Sequence, residues 1–527
     1  MRKRERYKRL IMFLASVLII ALQTGVFAYA WFHDYYDKDV IGRMYGYWGH
    51  WALLGLYALL VILVSKLFSA FKVGYMRILD VILSQVFSVL LVNIFEYFQL
   101  SLIGHWKFLT NLEPMLRVTG VNLVLVVLWV VFMRLIYAKI YPPHEVLVIY
   151  DRFGADQLLH KLSERKDKYL VTGTMALSEG VDKIKAEIPK YQAVMLGDLP
   201  AHERNLFLKY CFEKNIRCYC QQKISDIMIM HSEKIHMFDT PLLLSRNCGL
   251  TVEKQAIKRA FDLICSLAML VVLSPLFLVI ALLIKLYDGG PVFYKQNRLT
   301  KDGKVFQVYK FRSMRVDSEK NGARLAMKGD SRVTPVGKVL RNIHFDELPQ
   351  LLNIIKGDMS LVGPRPERPE IVAEYTKEIP EFPYRLKVKA GLTGYAQVYG
   401  KYNTTPYDKL KLDLTYILNY SFLLDLQLIA TTVKILFQKE NTEGVEQWQT
   451  TAASGHRKAE GTGEANVDSA EDGSLVLDAK RSDDSEKNES KSVKIRQKNA
   501  DVSSMPKTNS GEVRKKNTDS SGKKKRK

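Results

Sequence analysis

Long apolar stretches dominate the first third of the chain, with short polar segments between them. Four such stretches lie at residues 10–30 and at about 51–71, 78–100 and 118–138. Each is long enough to cross the hydrocarbon core of a bilayer as an α-helix. The pattern therefore predicts a four-helix transmembrane domain over residues 1–142. For the first stretch alone, a signal peptide that ends in Ala28-Tyr29-Ala30 is the alternative.

The hydrophobic pattern changes near residue 145, where short apolar runs alternate with helical stretches. The apolar runs predict strands at 146–150, 169–172, 193–196 and 216–219. Such alternation predicts a Rossmann-like parallel α/β domain over residues 143–249. The turn after the first strand, residues 150–154, contains one glycine, Gly154, and lacks the set of glycines that lets a backbone approach a pyrophosphate. A structural or regulatory domain is therefore favoured over a nucleotide-binding one.

A fifth apolar stretch, residues 260–286, has Ser274 and Pro275 at its middle. Proline at this position removes the hydrogen bond to the Val271 carbonyl and disfavours a straight helix. Basic residues flank the stretch on both sides, so their charge gives it no inside–outside bias. We expect a re-entrant membrane helix that enters and leaves by one leaflet. An ordinary kinked span is the rival interpretation.

The segment after this stretch predicts a mixed α/β domain, and residues 250–439 are assigned to it. Strands are expected at 291–296 and 305–314, on either side of a turn at Asp302-Gly303. A helix is expected from about residue 335 to residue 342. These elements lead directly to a pair of adjacent acids.

Asp346 and Glu347 form this pair, and a helix is predicted to begin beside them. Four apolar residues repeat at helical spacing, and Gly357 stands where a C-terminal cap belongs; the four are Leu348, Leu351, Leu352 and Ile355. The positive end of the helix dipole would favour ionised carboxylates at the pair. A plain N-cap aspartate with an acidic neighbour is the alternative.

The chain is strongly basic, and the places of its cations matter more than their number. A formal net charge of +22 over 527 residues leaves nucleic acid, anionic lipid and an anionic substrate open. Lys310 and Arg312 alternate on one predicted strand, Arg341 precedes the acid pair, and Arg365 stands between two prolines. Cations that converge on two carboxylates suggest a polyanionic substrate with a metal ion between them.

Cysteine usage and the C-terminal composition add two further predictions. The five cysteines are odd in number and lack the spacing of a zinc site, which favours buried or idle thiols in a reducing compartment. From about residue 440 the chain is rich in polar residues, which predicts a disordered polar tail over residues 440–527. Contact with anionic lipid, an inert solubilising role and nucleic-acid binding are open for this tail.

Five short motifs follow one another between residues 291 and 398. They are Pro291–Gln296 with Arg298, Tyr309–Met314, Asp346–Gln350, Val362–Pro366, and Leu392–Gly394 with Ala396–Val398. Together they resemble the catalytic domain of the bacterial sugar transferase family, the monotopic phosphoglycosyl transferases. The predicted helices and α/β domain before them further resemble the large family members that initiate exopolysaccharide, capsule or O-antigen synthesis.

The resemblance implies transfer of a sugar 1-phosphate from a UDP-sugar to undecaprenyl phosphate, which releases UMP and forms undecaprenyl diphosphate sugar. It implies that Asp346 is the nucleophile, forming a covalent phosphosugar intermediate, and that Glu347 binds Mg²⁺. The substrate phosphates are expected at residues of these motifs and of the converging cations: Lys295, Arg298, Lys310, Arg312, Arg341, Arg365, Thr393 and Gln397. The expected place is the bacterial plasma (inner) membrane, with a multi-pass chain and the catalytic domain on the cytoplasmic face.

Two departures from the family pattern and two rival functions remain at this point. Ala390 stands where the family usually has proline, and residues 342–345 replace the usual hydroxyl-rich segment before the aspartate.

A catalytically idle membrane scaffold is the second hypothesis, and a nucleic-acid-binding membrane protein is the third. Charge alone suggests the third, so nucleic acid is not an expected partner. The sequence names neither the sugar nor the pathway, and it leaves open a homodimer and a ligand for the α/β domain.

Overall fold

The structure is a computed structural model. It describes residues 7–36, 47–104, 106, 112–151, 155–245, 249–315, 332–401 and 404–436. The predicted disordered tail lies outside the described residues. The domain boundaries inferred from the sequence stay predictions.

Four long apolar helices come first and pack against one another. They are α1 (Lys8–Ala30), which a π-helical turn at Trp31–Tyr35 extends, α2 (Tyr47–Leu67), α3 (Ile78–Ile103) and α4 (Glu113–Ile140). Aromatic side chains fill the space between them; Phe27 stacks on Tyr57 with ring centroids 4.2 Å apart. Many large apolar side chains on the outer faces are exposed, as in helices that lipid surrounds. Together with a later helix that contains Val252–Tyr287, these helices are the five candidate membrane spans among the described residues, which indicates a membrane protein.

An α/β unit with a parallel sheet at its centre follows. Its elements are β1 (His144–Tyr150), α5 (Ala155–Ser163), β2 (Tyr169–Ala176), α6 (Val181–Glu187), β3 (Ala193–Leu196), α7 (Ala201–Glu213), β4 (Arg217–Cys220) and α8 (Ile224–Met230). The strand order is β2-β1-β3-β4, and all neighbours are parallel. Residues Val146 to Ile149 of β1 are buried, which explains the continuous apolar run there. The predicted parallel α/β sheet is confirmed.

An antiparallel hairpin that the sequence pattern does not predict then leads to the mixed α/β unit. The hairpin pairs β5 (Glu233–Met237) with β6 (Thr240–Leu244). The mixed unit consists of α9 (Val252–Asp288), β7 (Phe293–Leu299), β8 (Val305–Phe311), α10 (Pro335–Asn342), α11 (Gln350–Lys356), β9 (Met359–Val362), α12 (Pro369–Glu378), β10 (Ala390–Thr393), α13 (Tyr395–Tyr399), α14 (Pro406–Leu418) and α15 (Phe422–Leu436). Strands β7 and β8 are antiparallel, whereas β9 and β10 are parallel.

Helix α10 begins and ends at the predicted residues. Thr334 caps it by accepting a hydrogen bond from the Gly337 backbone N–H, and Pro335 occupies its first position. The turn between β7 and β8 is also confirmed, with Asp302 in the left-handed region at φ 58°. The start of α10 and this turn can be predicted from the sequence because each depends on the residue types at one or two neighbouring positions.

Helix α9 continues through Pro275 as one element of 37 residues. Ser274 Oγ donates a hydrogen bond of 2.7 Å to the Val271 carbonyl and so replaces the bond that Pro275 removes. The helix therefore has no loop that separates two arms. Its path through a membrane stays a prediction.

Contacts on several surfaces join the three parts of the described chain. Glu164, which follows α5, forms salt bridges with Arg77, 3.2 Å away between α2 and α3, and with Lys401 beyond α13. Lys434 of α15 donates a hydrogen bond of 3.2 Å to Ser84 Oγ of α3. The mixed unit is thus attached to both the α/β unit and the apolar helices.

Candidate active site

Asp346 and Glu347 lie in a short turn between α10 and α11. A 3₁₀ turn, Phe345–Glu347, carries both acids, and α11 begins three residues later. Neither acid caps α11, whose N-cap is Pro349, so the plain N-cap alternative is wrong, whereas the helix does begin beside the pair as predicted. Gly357 does cap the C-terminus, with φ 100°, as predicted. His344 enters the turn with a left-handed backbone at φ 56°, an uncommon conformation for a residue with a side chain.

Glu347 is held by two cations from different elements. Lys310 Nζ of β8 lies 2.6 Å from its Oε1, and Arg365 Nη2 lies 2.8 Å from the same oxygen. Burial alone would raise the pKa of Glu347, but the charges of Arg365 and Lys310 outweigh burial and hold this pKa well below its usual range. Glu347 is therefore ionised at neutral pH.

Asp346 is more deeply buried than its neighbour and has weaker ionic contacts. Its side chain is 10% exposed, and Lys310 Nζ lies 4.0 Å from its Oδ2. Burial raises the pKa of Asp346, while the charges of Lys310 and Arg341 oppose this rise. The sequence reasoning assigned an ionised carboxylate to a helix dipole. In the structure, nearby cations have that role, because the acid lies outside the helix.

The backbone around Arg365 is fixed by contacts on both sides. Gly363 accepts no side chain, because a Cβ there would clash with the backbone carbonyl of Lys389, the residue just before β10. Arg298 Nη1 donates to the Pro366 carbonyl over 3.0 Å, and Arg385 Nη2 donates to the Arg365 carbonyl over 3.1 Å. The guanidinium of Arg365 therefore projects from a rigid loop toward Glu347.

A buried ion pair behind this loop escapes sequence reasoning. Arg385 Nη2 lies 2.8 Å from Asp413 Oδ2 of α14, and the two side chains are 3% and 1% exposed. Burial raises the pKa of Asp413 to about 6, against the charge of Arg385. Asp413 lies on an ordinary amphipathic helix and carries no sequence signal. Arg385 supports the loop of Arg365 from behind.

The other predicted cations lie in separate surroundings. Arg341 Nε donates to Ser313 Oγ over 3.0 Å. Lys295 lies over the Tyr309 ring, 5.4 Å from its centroid. Arg312 follows the end of β8, and its guanidinium occupies the space that a Cβ at Gly290 would need. The Arg298 guanidinium donates a hydrogen bond to the loop of Arg365, as described above.

The two polar residues predicted in the last motif make internal contacts. Thr393 Oγ1 shares a hydrogen bond of 2.6 Å with Thr432 Oγ1 of α15. Gln397 Nε2 donates to the Leu392 carbonyl over 3.1 Å. The structure thus brings Asp346, Glu347, Lys310 and Arg365 together, with Arg341 within electrostatic range of Asp346. Phosphate binding by the remaining predicted residues stays a prediction.

Arg259 near the start of α9 has a structural partner that the sequence analysis lacks. Its guanidinium donates to the carbonyls of Ile354 and Ile355 over 2.6 Å and 2.8 Å. These carbonyls lie at the end of α11, where helix carbonyls lack the usual N–H donor four residues on. Arg259 therefore connects the membrane helix to the helix that follows the two acids.

The predicted Mg²⁺ would find few protein ligands at this site. The described residues contain no group of three or more His, Cys, Asp or Glu placed to hold a metal. Mg²⁺, however, is commonly bound by one or two carboxylates together with substrate phosphates. Asp346 and Glu347 offer oxygen donors of this kind. Both oxygens of Glu347 lie within 3.5 Å of Arg365 nitrogens, so a metal there requires the cations to turn to another anion.

Comparison with known proteins covers the region that contains this site. Residues 253–439 match the family model described as bacterial sugar transferase. A UDP-N-acetylgalactosamine-undecaprenyl-phosphate N-acetylgalactosaminephosphotransferase from Aeromonas hydrophila is 38% identical over 265 residues, which are 49% of this chain and 61% of that protein. The exopolysaccharide production protein PSS from Rhizobium leguminosarum bv. phaseoli is 42% identical over 186 residues, which are 34% of this chain and 93% of that protein.

A third relative is the UDP-glucose:undecaprenyl-phosphate glucose-1-phosphate transferase from Escherichia coli (strain K12). It is 37% identical over 210 residues, which are 39% of this chain and 45% of that protein. The chain thus spans less than two thirds of the Aeromonas and Escherichia relatives.

Apolar helices joined to a unit in which cations surround two adjacent acids define the class: a membrane protein with a charged carboxylate site. The Rhizobium protein matches over 93% of its length at 42% identity, and this match is extensive enough to assign a family. The chain belongs to the bacterial sugar transferase family. The resemblance inferred from the five motifs is confirmed.

Proposed function

We propose that this protein transfers a sugar 1-phosphate from a UDP-sugar to undecaprenyl phosphate. The observation that carries this proposal is the buried Asp346 beside a Glu347 that Lys310 and Arg365 hold. The names of the Aeromonas and Escherichia relatives support the acceptor and the UDP-sugar donor. The name of the Rhizobium relative supports a role in exopolysaccharide synthesis, and capsule and O-antigen synthesis are the alternative pathways.

Asp346 acts as the nucleophile in the first half of the reaction. Its carboxylate attacks the phosphorus next to the sugar, and the bond from this phosphorus to the bridging oxygen breaks. UMP leaves with that oxygen, and an acyl phosphate joins the sugar phosphate to Asp346. In the second half, an oxygen of undecaprenyl phosphate attacks the same phosphorus and frees the Asp346 carboxylate.

The cations have two functions in this mechanism. In the structure they neutralise Glu347, and an arriving diphosphate offers Lys310 and Arg365 stronger acceptors. Because Arg385 fixes the Arg365 backbone from behind, only the guanidinium itself has to turn from Glu347 to bind phosphate. Asp346 and Glu347 would hold a Mg²⁺ ion, which supplies charge neutralisation for the diphosphate when bound.

The proposed place of the enzyme is the cytoplasmic face of the inner membrane, and the contacts of α9 support its re-entry into a single leaflet. Asp262, near its start, accepts a hydrogen bond from the Leu361 backbone N–H at 3.0 Å. Ile284, near its end, is buried in a cluster with Phe311 and Leu340 of the same unit. Between them the helix exposes large apolar side chains such as Val272 and Leu278. Both ends thus pack on one folded unit, while a span across the membrane would separate them.

The test measures UMP release from a panel of UDP-sugars with full-length protein, undecaprenyl phosphate and Mg²⁺. The panel is needed because the names of the relatives differ in the sugar. We expect one or two sugars to support turnover and Asp346→Asn to abolish it. Asp302→Asn is the matched control, because it makes the same change at an exposed turn. Full activity in Asp346→Asn would reject the nucleophile.

Trapping the intermediate separates the two halves of the reaction. Without undecaprenyl phosphate, the enzyme should release about one UMP per active site and retain the sugar phosphate. Mass spectrometry of the peptide that contains Asp346 should then show the added sugar phosphate. An adduct on another residue would contradict the assignment.

A further inference from the structure

Three of the five cysteines lie together in the α/β unit, far in sequence from the proposed active site. Cys218 and Cys220 lie on the same face of β4, since side chains two apart on a strand share a face. Cys218 Sγ is 3.7 Å from Cys220 Sγ. Cys218 is also hydrogen-bonded to Cys211 of the preceding helix, α7. The sequence pattern favours buried or idle thiols, but in the structure these thiols lie in contact.

The three thiols differ in access to solvent. Cys211 is buried, Cys218 is half-buried and Cys220 is exposed. Cys220 ends β4, which is the last strand of the sheet in the order β2-β1-β3-β4. A reagent from solvent can therefore meet Cys220 first, and Cys218 is its nearest thiol neighbour.

The surroundings of Cys220 favour its reactive form. The hydrogen bond from Cys218 lowers the pKa of the Cys220 thiol, although burial opposes this effect. The Arg204 guanidinium of α7 lowers the same pKa, and Asp226 of α8 opposes it. Arg204 Nη2 is held 2.8 Å from Asp226 Oδ1, which keeps the guanidinium in place. The thiolate is the form that attacks a disulfide.

We propose that Cys220 and Cys218 form a thiol–disulfide exchange site for small disulfides such as glutathione disulfide. The Cys220 thiolate attacks one sulfur of the small disulfide, and the other sulfur leaves as a thiolate. Cys218 then loses its proton to solvent and attacks the Cys220 sulfur, which releases the second small thiolate. The two protein thiols are oxidised by two electrons, and the small disulfide is reduced to two thiols.

The spacing makes the resulting bond reversible. Residues two apart on a strand have Cα atoms about 6.6 Å apart, near the upper limit for a disulfide, and their parallel side chains start with Cβ atoms farther apart than the roughly 4 Å that the bond needs, so the end of β4 must bend to form it. Strain of this kind makes a disulfide easier to reduce. The pair therefore suits a reducing compartment, where protein disulfides are transient.

The experiment uses the full-length protein in which Cys248 and Cys265 are changed to serine, so that only the three clustered thiols remain. Glutathione disulfide is the probe, iodoacetamide blocks the remaining thiols, and tryptic peptides are weighed. Cleavage after Arg217 and Lys223 leaves Cys218 and Cys220 in one peptide, whereas Cys211 falls in another. We expect the 218–223 peptide to lose two hydrogens and to regain them with dithiothreitol.

Single substitutions assign the two roles. In Cys218→Ser, glutathione should stay attached to Cys220, because nothing resolves it. In Cys220→Ser, loss of free thiol should slow at least about tenfold. Cys211→Ala is the matched control and should still form the bond within the 218–223 peptide. A disulfide that links the peptides of Cys211 and Cys218, or oxidation of Cys220→Ser at the original rate, would overturn the proposal.

Discussion

At the scale of single residues, Lys310 links the two acids. It is 2.6 Å from Glu347 Oε1 and 4.0 Å from Asp346 Oδ2, whereas Arg365 contacts Glu347. Asp346 must be ionised to act as a nucleophile, and burial opposes its ionisation. Lys310 is therefore expected to set the lowest pH at which the enzyme works.

Changing Lys310 to Met should move the acid limb of the kcat–pH profile upward by on the order of 1 pH unit. The sign follows because loss of a nearby positive charge favours the neutral acid and raises the pKa of Asp346. The measurement is kcat at saturating UDP-sugar between pH 4 and 9. Lys338→Met, at an exposed position on α10, should leave the limb in place. An unmoved limb in Lys310→Met would show that Asp346 titrates independently of this lysine.

Ala390, the departure from the family pattern, has a physical role in this structure. Its backbone N–H donates to Thr300 Oγ1 over 3.2 Å, and the Thr300 hydroxyl donates to the Asp358 carbonyl over 2.7 Å. Proline has no N–H and cannot make the first of these bonds. This hydrogen bond therefore requires both a residue other than proline at position 390 and the threonine 90 residues earlier.

Ala390→Pro should lower the free energy of unfolding by about 1 kcal/mol through the lost hydrogen bond. In a Thr300→Val background the same change should be neutral or slightly stabilising, because proline restricts the unfolded chain and no bond remains to lose. Thermal unfolding of the solubilised protein measures both effects. Equal destabilisation in the two backgrounds would mean that the Thr300 contact does not carry the effect.

Motif spacing predicts the acid pair and its cations, but not the residues that position them. Lys310 and Arg365 contact Glu347 as expected, since a strand face and a proline-bounded loop fix them locally. Asp413 and Arg385 are 28 residues apart and meet only because α14 packs behind the loop of Arg365. A pattern along the chain does not contain this kind of distant contact. For the same reason, the internal bond of Thr393 to Thr432 is not predictable.

At the scale of elements, α9 shows how a helix passes a proline. The pair Ser274-Pro275 predicts a break in the helix, because the proline removes a hydrogen bond to the Val271 carbonyl. The Ser274 hydroxyl donates to that carbonyl instead, so the helix continues. The pattern predicts the apolar stretch and its proline. It does not predict that one helix continues on both sides, because that depends on the side-chain bond.

Labelling from each side of the membrane should test the re-entrant path. Single cysteines at Lys254 and Lys304, both exposed, are placed in a protein that lacks its own cysteines. An impermeant maleimide should label both in inside-out vesicles and neither in spheroplasts. Trp106→Cys, in the connection from α3 to α4, is the control for the opposite side. Labelling of Lys254→Cys and Lys304→Cys from opposite sides would establish a full span.

At the scale of the whole molecule, the proposed site depends on the mixed α/β unit alone. The side-chain contacts described for Asp346, Glu347, Arg365 and Arg385 all come from residues between 298 and 413. The other parts contribute support. Ile224 and Ile227 of α8 are buried in the core cluster of the mixed unit, beside Leu410 and Leu414. The Rhizobium relative matches over 93% of its own length but over only 34% of this chain, so a related protein is much shorter than this one.

A fragment of residues 250–439 should therefore keep transfer activity but unfold more easily than the full chain. Loss of the Ile224 and Ile227 side chains exposes apolar core surface, which costs on the order of 2 kcal/mol for each isoleucine. A longer fragment, residues 221–439, restores α8 and should recover much of this stability at equal kcat.

Thermal unfolding in detergent and UMP release measure the two properties separately, and Asp346→Asn in each fragment gives the background. A folded but inactive 250–439 fragment, beside an active 221–439 fragment, would mean that α8 contributes to catalysis and not only to stability.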